Sequence, residues 1–300
     1  MKRIYIIGAS GMVASRVIDL IKDKFEITSL DEKTLDITNK IGVNTYFDNL
    51  EFDAIVNFAA FTNVDVAEAQ SGDVNGLAWK LNVDGPKYLA EVCKQKNKFY
   101  LHVSTDFVFP GDDSDPGPYA EDSSLPDNQN GIGWYGWTKN RAEKIVQEIE
   151  GLKSAIVRYG YPFRAAEYPL KKDWARNLIN LYNEQKLYPL FTDQIQSIVF
   201  VDDLSIPISK ILELEQTGIF HLASHDTTTP YEAAKYLLQK FTGKEVDLAE
   251  GSMIEFLKAP GRTPRPRLGG LSTDITQESL GIKFRGWKEM VDSFISQLSS

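Results

Sequence analysis

The chain has 300 residues, 42% of them hydrophobic, with a formal net charge of -9 and a pI near 5.0. That length can bury a substantial core, and the acidic balance argues against nucleic acid as a partner, since phosphate binding needs a basic face. A single cysteine, Cys93, excludes an internal disulfide and points to a reducing compartment, while no run approaches transmembrane length and the apolar stretch after Met1-Lys2-Arg3 stops at Gly8, so a cytoplasmic protein with no membrane partner is expected.

Short apolar runs predict strands at 3–7, 26–30, 53–58, 99–104 and 154–158, and helical spacing predicts helices at 12–22, 40–49, 75–96 and 134–149 between them. This alternation predicts an α/β fold, a doubly wound parallel sheet of the Rossmann type. Cys93 shares an apolar helical face with Leu89 and Val92, which reads as a buried thiol. Residues 110–133 interrupt the rhythm with prolines, glycines and an acidic cluster, marking a long loop that is a lid or an irregular surface segment. Beyond about residue 160 the alternation loosens. Helices are expected at 172–186, 202–214, 230–242 and 286–298, with strand-like pieces at 187–191, 197–201, 218–222 and 245–248. The division that follows is a dinucleotide-binding domain at 1–160 and a smaller mixed α/β substrate-binding lobe at 161–300, interleaved with the first if the chain returns to its sheet.

The first strand runs into Gly8-Ala9-Ser10-Gly11-Met12-Val13-Ala14 and a helix. Backbone amides at such a turn point at a pyrophosphate, and the helix dipole favours its negative charge, so Gly8, Ser10, Gly11, Met12 and Val13 are expected to hold a dinucleotide. Asp31 closes the next strand, where a carboxylate can accept the ribose hydroxyls of adenosine. It would repel a 2′-phosphate and so favours NAD, although Lys33 stands close enough to tolerate NADP. Asp36 and Ile37 follow a second short apolar piece and are expected at the adenine edge.

Tyr135 and Lys139 lie one helical turn apart on one face, where an ammonium would draw a phenol's pKa of about 10 toward neutrality and make it a proton donor. The same spacing recurs at Tyr168/Lys172, Tyr182/Lys186, Tyr231/Lys235 and Tyr236/Lys240, so context must choose. Tyr168 is followed by Pro169 with its lysine across a helix boundary. The other three lie in second-lobe helices with no glycine turn or hydroxyl-ended strand placed before them.

Taken in order, Val56-Asn57-Phe58-Ala59-Ala60-Phe61-Thr62-Asn63-Val64-Asp65, Asn82-Val83-Asp84-Gly85, His102-Val103-Ser104-Thr105-Asp106-Phe107-Val108-Phe109, Tyr135-Gly136-Trp137-Thr138-Lys139 and Arg265-Pro266 resemble the extended short-chain dehydrogenase/reductases, most closely the dTDP-4-dehydrorhamnose reductase family. The resemblance runs nearly end to end. It implies reduction of the C4 ketone of a nucleotide-linked 6-deoxy sugar, with Tyr135 as proton donor, Thr105 polarising the carbonyl, and Lys139 binding the nicotinamide ribose. It places Ala59 and Ala60 along the cofactor, and Thr62, Asp65, Asp106 and Phe107 against the sugar. Thr62 and Asp65 also suit a helix start. Arg265, in the basic loop Gly261–Arg267, would clamp the nucleotide diphosphate.

The chain departs from that family at Tyr159-Gly160-Tyr161, where Thr-Ser-Trp is usual. It also departs at Asp193-Gln194-Ile195-Gln196-Ser197-Ile198-Val199, for Asp-Gln-x-Gly-x-Pro-Thr, and at Phe107, where tyrosine is usual. These departures leave the sugar open. Related dehydratases carry glutamate at the position of Phe107, which disfavours dehydration. Epimerisation on the same scaffold and a cofactor-loaded regulatory subunit, similar to the beta subunit of methionine adenosyltransferase, are the alternatives. Three scattered histidines and an Asp112-Asp113-Ser114-Asp115 run without calcium-loop glycine or glutamate predict no catalytic metal, and the assembly is expected to be a monomer or homodimer.

Overall fold

The computed structural model describes residues 1–298. Five strands, β1 (Arg3–Ile7), β2 (Glu26–Leu30), β3 (Ala54–Asn57), β4 (Phe99–Thr105) and β5 (Lys153–Tyr159), alternate with helices α1 (Met12–Ile21), α2 (Lys40–Phe47), α3 (Val64–Glu68), α4 (Leu77–Trp79), α5 (Gly85–Gln95) and α6 (Trp134–Glu148). The helix expected at 75–96 is split: α4 passes through a π-helical turn, Lys80–Asp84, into α5. After β6 (Pro162–Phe163), α7 (Trp174–Asn183), β7 (Leu190–Phe191), β8 (Val199–Phe200) and α8 (Ser205–Leu214), the chain returns as β9 (Gly218–His221). The main sheet is parallel throughout, in the order β2-β1-β3-β4-β5-β9.

Alternate residues along each strand serve opposite faces, as period-two geometry requires. Ile4, Ile6, Val56, Leu101 and Val157 pack with α1 and α8 on one face. Ile7, Ile55, Tyr100 and Ile156 pack with α2 and α5 on the other. Cys93 is fully buried there, and burial pushes its thiol well above the usual range. Because both faces are covered, β4 is buried along its whole length, so its polar residues His102, Ser104 and Thr105 need internal partners.

A second core of Phe163, Leu178, Phe200, Leu237, Trp287 and Phe294 joins α7, α9 (Pro230–Thr242), α12 (Trp287–Leu298) and two short parallel pairs, β6 with β8 and β7 with β10 (Glu250–Gly251). The two lobes interleave, since β9 and α8 belong to the first core together with Leu280 from α11 (Asp274–Leu280). The strand expected at 245–248 is not formed. Val246 and Leu248 alternate because extended chain lies on the second core, and pairing with β7 starts only at the Ala249 carbonyl. The helices α3 and α11, and α10 (Met253–Lys258), were not foreseen; they are five to seven residues long, too short for an apolar periodicity to show.

The loop 110–133 is fastened rather than free. Gly111 O accepts the amides of Arg267 and Leu268 at 2.9 and 2.7 Å, Tyr119 N bonds Gly270 O at 3.0 Å, and the Tyr119 ring stacks on Phe109 with centroids 4.0 Å apart. It delivers α6, whose first amide, Trp134 N, is capped by Glu68 Oε2 of α3 at 2.7 Å.

Helix α6 sits directly on the turn that ends β4. A Cβ on Gly136 would lie well inside van der Waals contact distance of Phe107 O and 2.9 Å from Ile132 Cγ2. One turn past Lys139, Glu143 forms a bidentate pair with Arg158 of β5 at 2.6–3.1 Å, both without exposed side-chain surface, and Ser104 donates to the same carboxylate. Gly136→Ala should therefore force α6 off the sheet and cost at least about 2 kcal/mol, in the range of overpacked cores. Chemical denaturation checks this, and an unchanged midpoint would contradict the contact.

Candidate active site

At the C-terminal ends of β1, β2, β3 and β4 the sheet opens into a cleft of about 680 Å³. Open parallel sheets place ligands there because the loops to flanking helices diverge at that edge. One end of the cleft is the glycine turn. Gly8 has φ +73°, and a Cβ on it would lie 2.7 Å from Ala59 N, so the turn closes against the end of β3 only with glycine. Gly11 N bonds Gly8 O at 3.0 Å, and α1 begins at Met12 with no side-chain cap. The first-turn amides of Met12 and Val13 thus have no side-chain cap, the arrangement an anion cradle requires. Ser10, Gly11, Met12, Val13, Ala59 and Ala60 all line this end.

At the end of β2, Asp31 Oδ1 accepts Lys33 N at 3.1 Å, Thr34 N at 3.0 Å and Thr34 Oγ1 at 2.9 Å. The Thr34 hydroxyl, then its amide, hold the carboxylate below its ordinary pKa. Asp31, Glu32, Asp36 and Ile37 line the cleft here, whereas the Lys33 side chain does not. Asp36 Oδ1 accepts Thr38 N at 2.9 Å and Thr38 Oγ1 at 2.7 Å.

The opposite end carries Thr105, Asp106, Phe107, Tyr135 and Lys139. The Tyr135 ring meets Phe107 edge-on with centroids 5.9 Å apart. Burial, and then the Asp106 carboxyl, push the phenol up to about 12, while a hydrogen bond with Thr105 pulls it back. Lys139 is not a cause of that shift, contrary to the expectation from the i, i+4 spacing. Its ammonium is turned onto the strand, donating to Val103 O at 2.7 Å and lying 3.1 Å from His102 Nε2. Burial draws Lys139 down to about 8, opposed by Glu143. Asp106, buried, accepts Thr105 Oγ1 on Oδ1 at 3.1 Å, and burial pushes it up to about 6 against that bond.

Thr62 lines the cleft, but Asp65 and Arg265 do not. They pair with each other: Arg265 Nη2 donates to Asp65 Oδ1 at 2.7 Å and, with Thr263, holds the carboxylate low. In this structure the Arg265 guanidinium expected at the diphosphate and the Asp65 carboxylate expected at the sugar are paired with each other. The cap of α3 is Asn63, which accepts Val66 N at 3.2 Å, and neither Thr62 nor Asp65. Asp193, which opens the departing segment, accepts Met253 N and Ser252 Oγ at the start of α10.

Tyr161, singled out in the sequence as a departure from the family, stands on the wall: it has φ +46° and lies 6.1 Å from Phe107, its hydroxyl accepting Gln194 Nε2 at 3.0 Å. One group on the wall was missed. The segment after β6 crosses the glycine turn: Arg164 Nη1 donates to Met12 O at 2.7 Å, Tyr168 Oη donates to Ser10 O at 2.8 Å, and Lys171 and Lys172 line the cleft beside them. The cationic run Lys171-Lys172 was the available signal. The remaining Tyr/Lys spacings serve the surface: Lys235 and Lys240 stack on Tyr231 and Tyr236 at 5.8 and 5.0 Å.

The family model for the RmlD substrate binding domain matches residues 1–300. A dTDP-4-dehydrorhamnose reductase of Aggregatibacter actinomycetemcomitans is 28% identical over 298 residues, with 96% of each chain covered. The crystal structure of a dTDP-4-dehydrorhamnose reductase from Clostridium acetobutylicum matches with a TM-score of 0.86 and 27% identity, covering 99% of this chain and 100% of that one. That of dTDP-4-dehydrorhamnose reductase from Bacillus anthracis, in complex with NADP, matches with a TM-score of 0.85 and 25% identity over 99% of each chain. Among the described residues no helix is long and apolar enough to cross a membrane.

The raised pKa of Asp106 has a consequence for stability. A folded pKa of about 6 lies above the unfolded value of about 3.9, so its contribution is fully present below about pH 4 and lost as pH rises through about 6. Asp106→Asn should raise stability by on the order of 2–3 kcal/mol at about pH 7.5 and by almost nothing at about pH 4. Melting curves at the two pH values test it, and an equal shift at both would contradict the burial of an ionised carboxylate.

Proposed function

Because the chain belongs to the RmlD substrate binding domain family, we propose that it is an NAD(P)H-dependent reductase of the C4 ketone of a nucleotide-linked 6-deoxy sugar. It is an oxidoreductase of the extended short-chain dehydrogenase/reductase type. The observation that carries the finer reading is convergence: Thr105 and Tyr135 stand at one end of the cleft whose other end is the glycine turn, with Lys139 on the wall beside them.

A reduced nicotinamide, when bound, supplies the hydride for the carbonyl carbon. The residues of the chain position it and handle the proton. The uncapped amides at Met12 and Val13, and the space left at Gly8, suit the diphosphate. With Asp31, Glu32 and Asp36 on the wall at the end of β2, a ribose bearing a 2′-phosphate meets three carboxylates, which supports NADH over NADPH. Tyr135 is then the acid that completes reduction. Burial keeps its phenol protonated at neutral pH, which is the form a donor to a nascent alkoxide must take. Thr105, whose hydroxyl donates to Asp106 Oδ1 at 3.1 Å and pulls the phenol's pKa down, lines the same end of the cleft and is assigned to bind the same oxygen. Lys139, its ammonium held against β4 by Val103 O, lines the same wall and is assigned to the nicotinamide ribose.

Tyr135→Phe should lower turnover of a nucleotide-linked 4-keto-6-deoxy sugar by roughly 100-fold or more while leaving cofactor affinity within about threefold. Steady-state rates followed at the nicotinamide absorbance measure the first and fluorescence titration the second. Unchanged turnover would remove Tyr135 from the chemistry. In the parent protein NADH should bind roughly 10-fold tighter than NADPH, and Asp31→Ser should narrow that gap; a preference for NADPH in the parent would contradict the role given to Asp31.

A further inference from the structure

Behind Lys139, away from the cleft, a row of polar side chains runs through the interior of the sheet. Lys139 Nζ donates to Val103 O at 2.7 Å and lies 3.1 Å from His102 Nε2. His102 Nδ1 is 3.4 Å from Tyr100 Oη, which is 3.4 Å from Asn57 Nδ2 on the neighbouring strand. Asn57 Oδ1 accepts Ala59 N at 3.0 Å. His102, Tyr100 and Asn57 have no exposed surface. The two ends of the row, Lys139 and Ala59, are on the cleft wall, and the three groups between them are not.

Protonation in this row is set by chemistry. An ammonium has three donors and no acceptor, whereas a neutral imidazole has one of each. Burial, and then the charge of Lys139, hold the His102 imidazole well below its ordinary pKa, so it is neutral. Its Nε2 therefore accepts from Lys139, and its proton sits on Nδ1, facing Tyr100 Oη. Two of the three ammonium hydrogens are taken by Val103 O and His102, which leaves the third for the cleft. Three buried polar groups in a row are costly unless each is satisfied, and a purely apolar strand would have served packing as well.

We propose that His102 is the positioning residue for Lys139: as a fixed neutral acceptor it anchors the ammonium from behind, aims the remaining N–H into the cleft, and ties the lysine through Tyr100 and Asn57 to the Ala59 backbone on the cofactor side. The proposal rests on the reading of Lys139 as a cofactor-binding group. His102→Leu removes the acceptor at similar volume, while His102→Gln offers an amide oxygen near the place of Nε2. Loss of one hydrogen bond to a charged group should weaken NADH binding and lower turnover at saturating cofactor by roughly 10- to 100-fold in His102→Leu, and His102→Gln should recover most of both.

Fluorescence titration with NADH and steady-state rates, on variants whose melting curves show a folded protein, make the comparison. Parent-like binding and turnover in His102→Leu, or a folded His102→Gln as impaired as His102→Leu, would overturn the proposal. Lys139→Met measured alongside separates the two levels. If it too binds and turns over like the parent, the reading of the lysine fails; if it is impaired while His102→Leu is not, only the role of His102 fails. Nitrogen-15 NMR gives a second test. Two histidines should carry a protonated Nδ1 and a bare Nε2 and not titrate between about pH 6 and 8: His221, whose Nδ1 faces Ser272 O at 2.8 Å and whose Nε2 faces Arg158 Nη1 at 3.2 Å, and His102, assigned as the signal absent from His102→Gln. An imidazolium at His102, or a proton on its Nε2, would overturn the proposal.

Discussion

The direct seating of α6 on the end of β4 is the constraint from which the rest of the cleft follows. It has two parts. Gly136 lets the helix backbone meet the carbonyl of Phe107, and the buried Glu143–Arg158 pair holds the same helix to β5 two turns later. Between these two points the face of α6 is fixed, and Tyr135 and Lys139 have one place to go. Tyr135 arrives beside Thr105 and Phe107, and Lys139 reaches back to Val103 and His102. Ion pairs buried this deeply contribute little net stability because of desolvation, yet losing one partner costs about 3–5 kcal/mol. Their effect here is to exclude alternative seatings of the helix.

The wall of the cleft is built from local choices that a stability-optimised protein would avoid. Tyr161 sits in the left-handed region at φ +46°, a conformation costing on the order of 1–3 kcal/mol for a bulky residue. Its neighbour Gly160 has no room for a side chain, since a Cβ would lie 2.7 Å from both oxygens of the Asp106 carboxylate. Asp106 itself is a carboxylate withdrawn from water and answered by Thr105, not by a cation. These residues share one corner of the cleft with Tyr135. Strain and unfavourable burial collected in that corner fit a site where proton transfer, and not packing, sets which residues are acceptable.

Much of the first lobe was legible in the sequence because strands buried on both faces are continuous apolar runs and their crossovers are long, periodic helices. β1 and β2 fall where those runs predict, and Gly8 and Gly11 mark the turn between strand and helix that the cleft uses. The second lobe was less legible. β6 and β10 are two residues each, too short for period-two alternation to register, and the pieces expected at 187–191 and 197–201 pair over only two residues each, as β7 and β8. The partnership of Asp65 with Arg265 joins residues 200 positions apart, which no local pattern encodes. The direction of Lys139 was hidden for a different reason. Helical spacing puts it on the face of Tyr135, but the acceptors that claim its ammonium belong to β4, and His102 in an apolar run reads as an ordinary core residue. The crossing of the glycine turn by Arg164 and Tyr168 likewise depends on how the second lobe folds back.

The most direct measurement follows the hydride itself. A nucleotide-linked 4-keto-6-deoxy sugar turned over with nicotinamide cofactor deuterated on the transferring face should give a product carrying one deuterium at sugar C4, read by NMR, with one equivalent of oxidised cofactor formed. Product formed without deuterium at C4, or without net oxidation of the cofactor, would contradict a reductase built on Thr105, Tyr135 and Lys139.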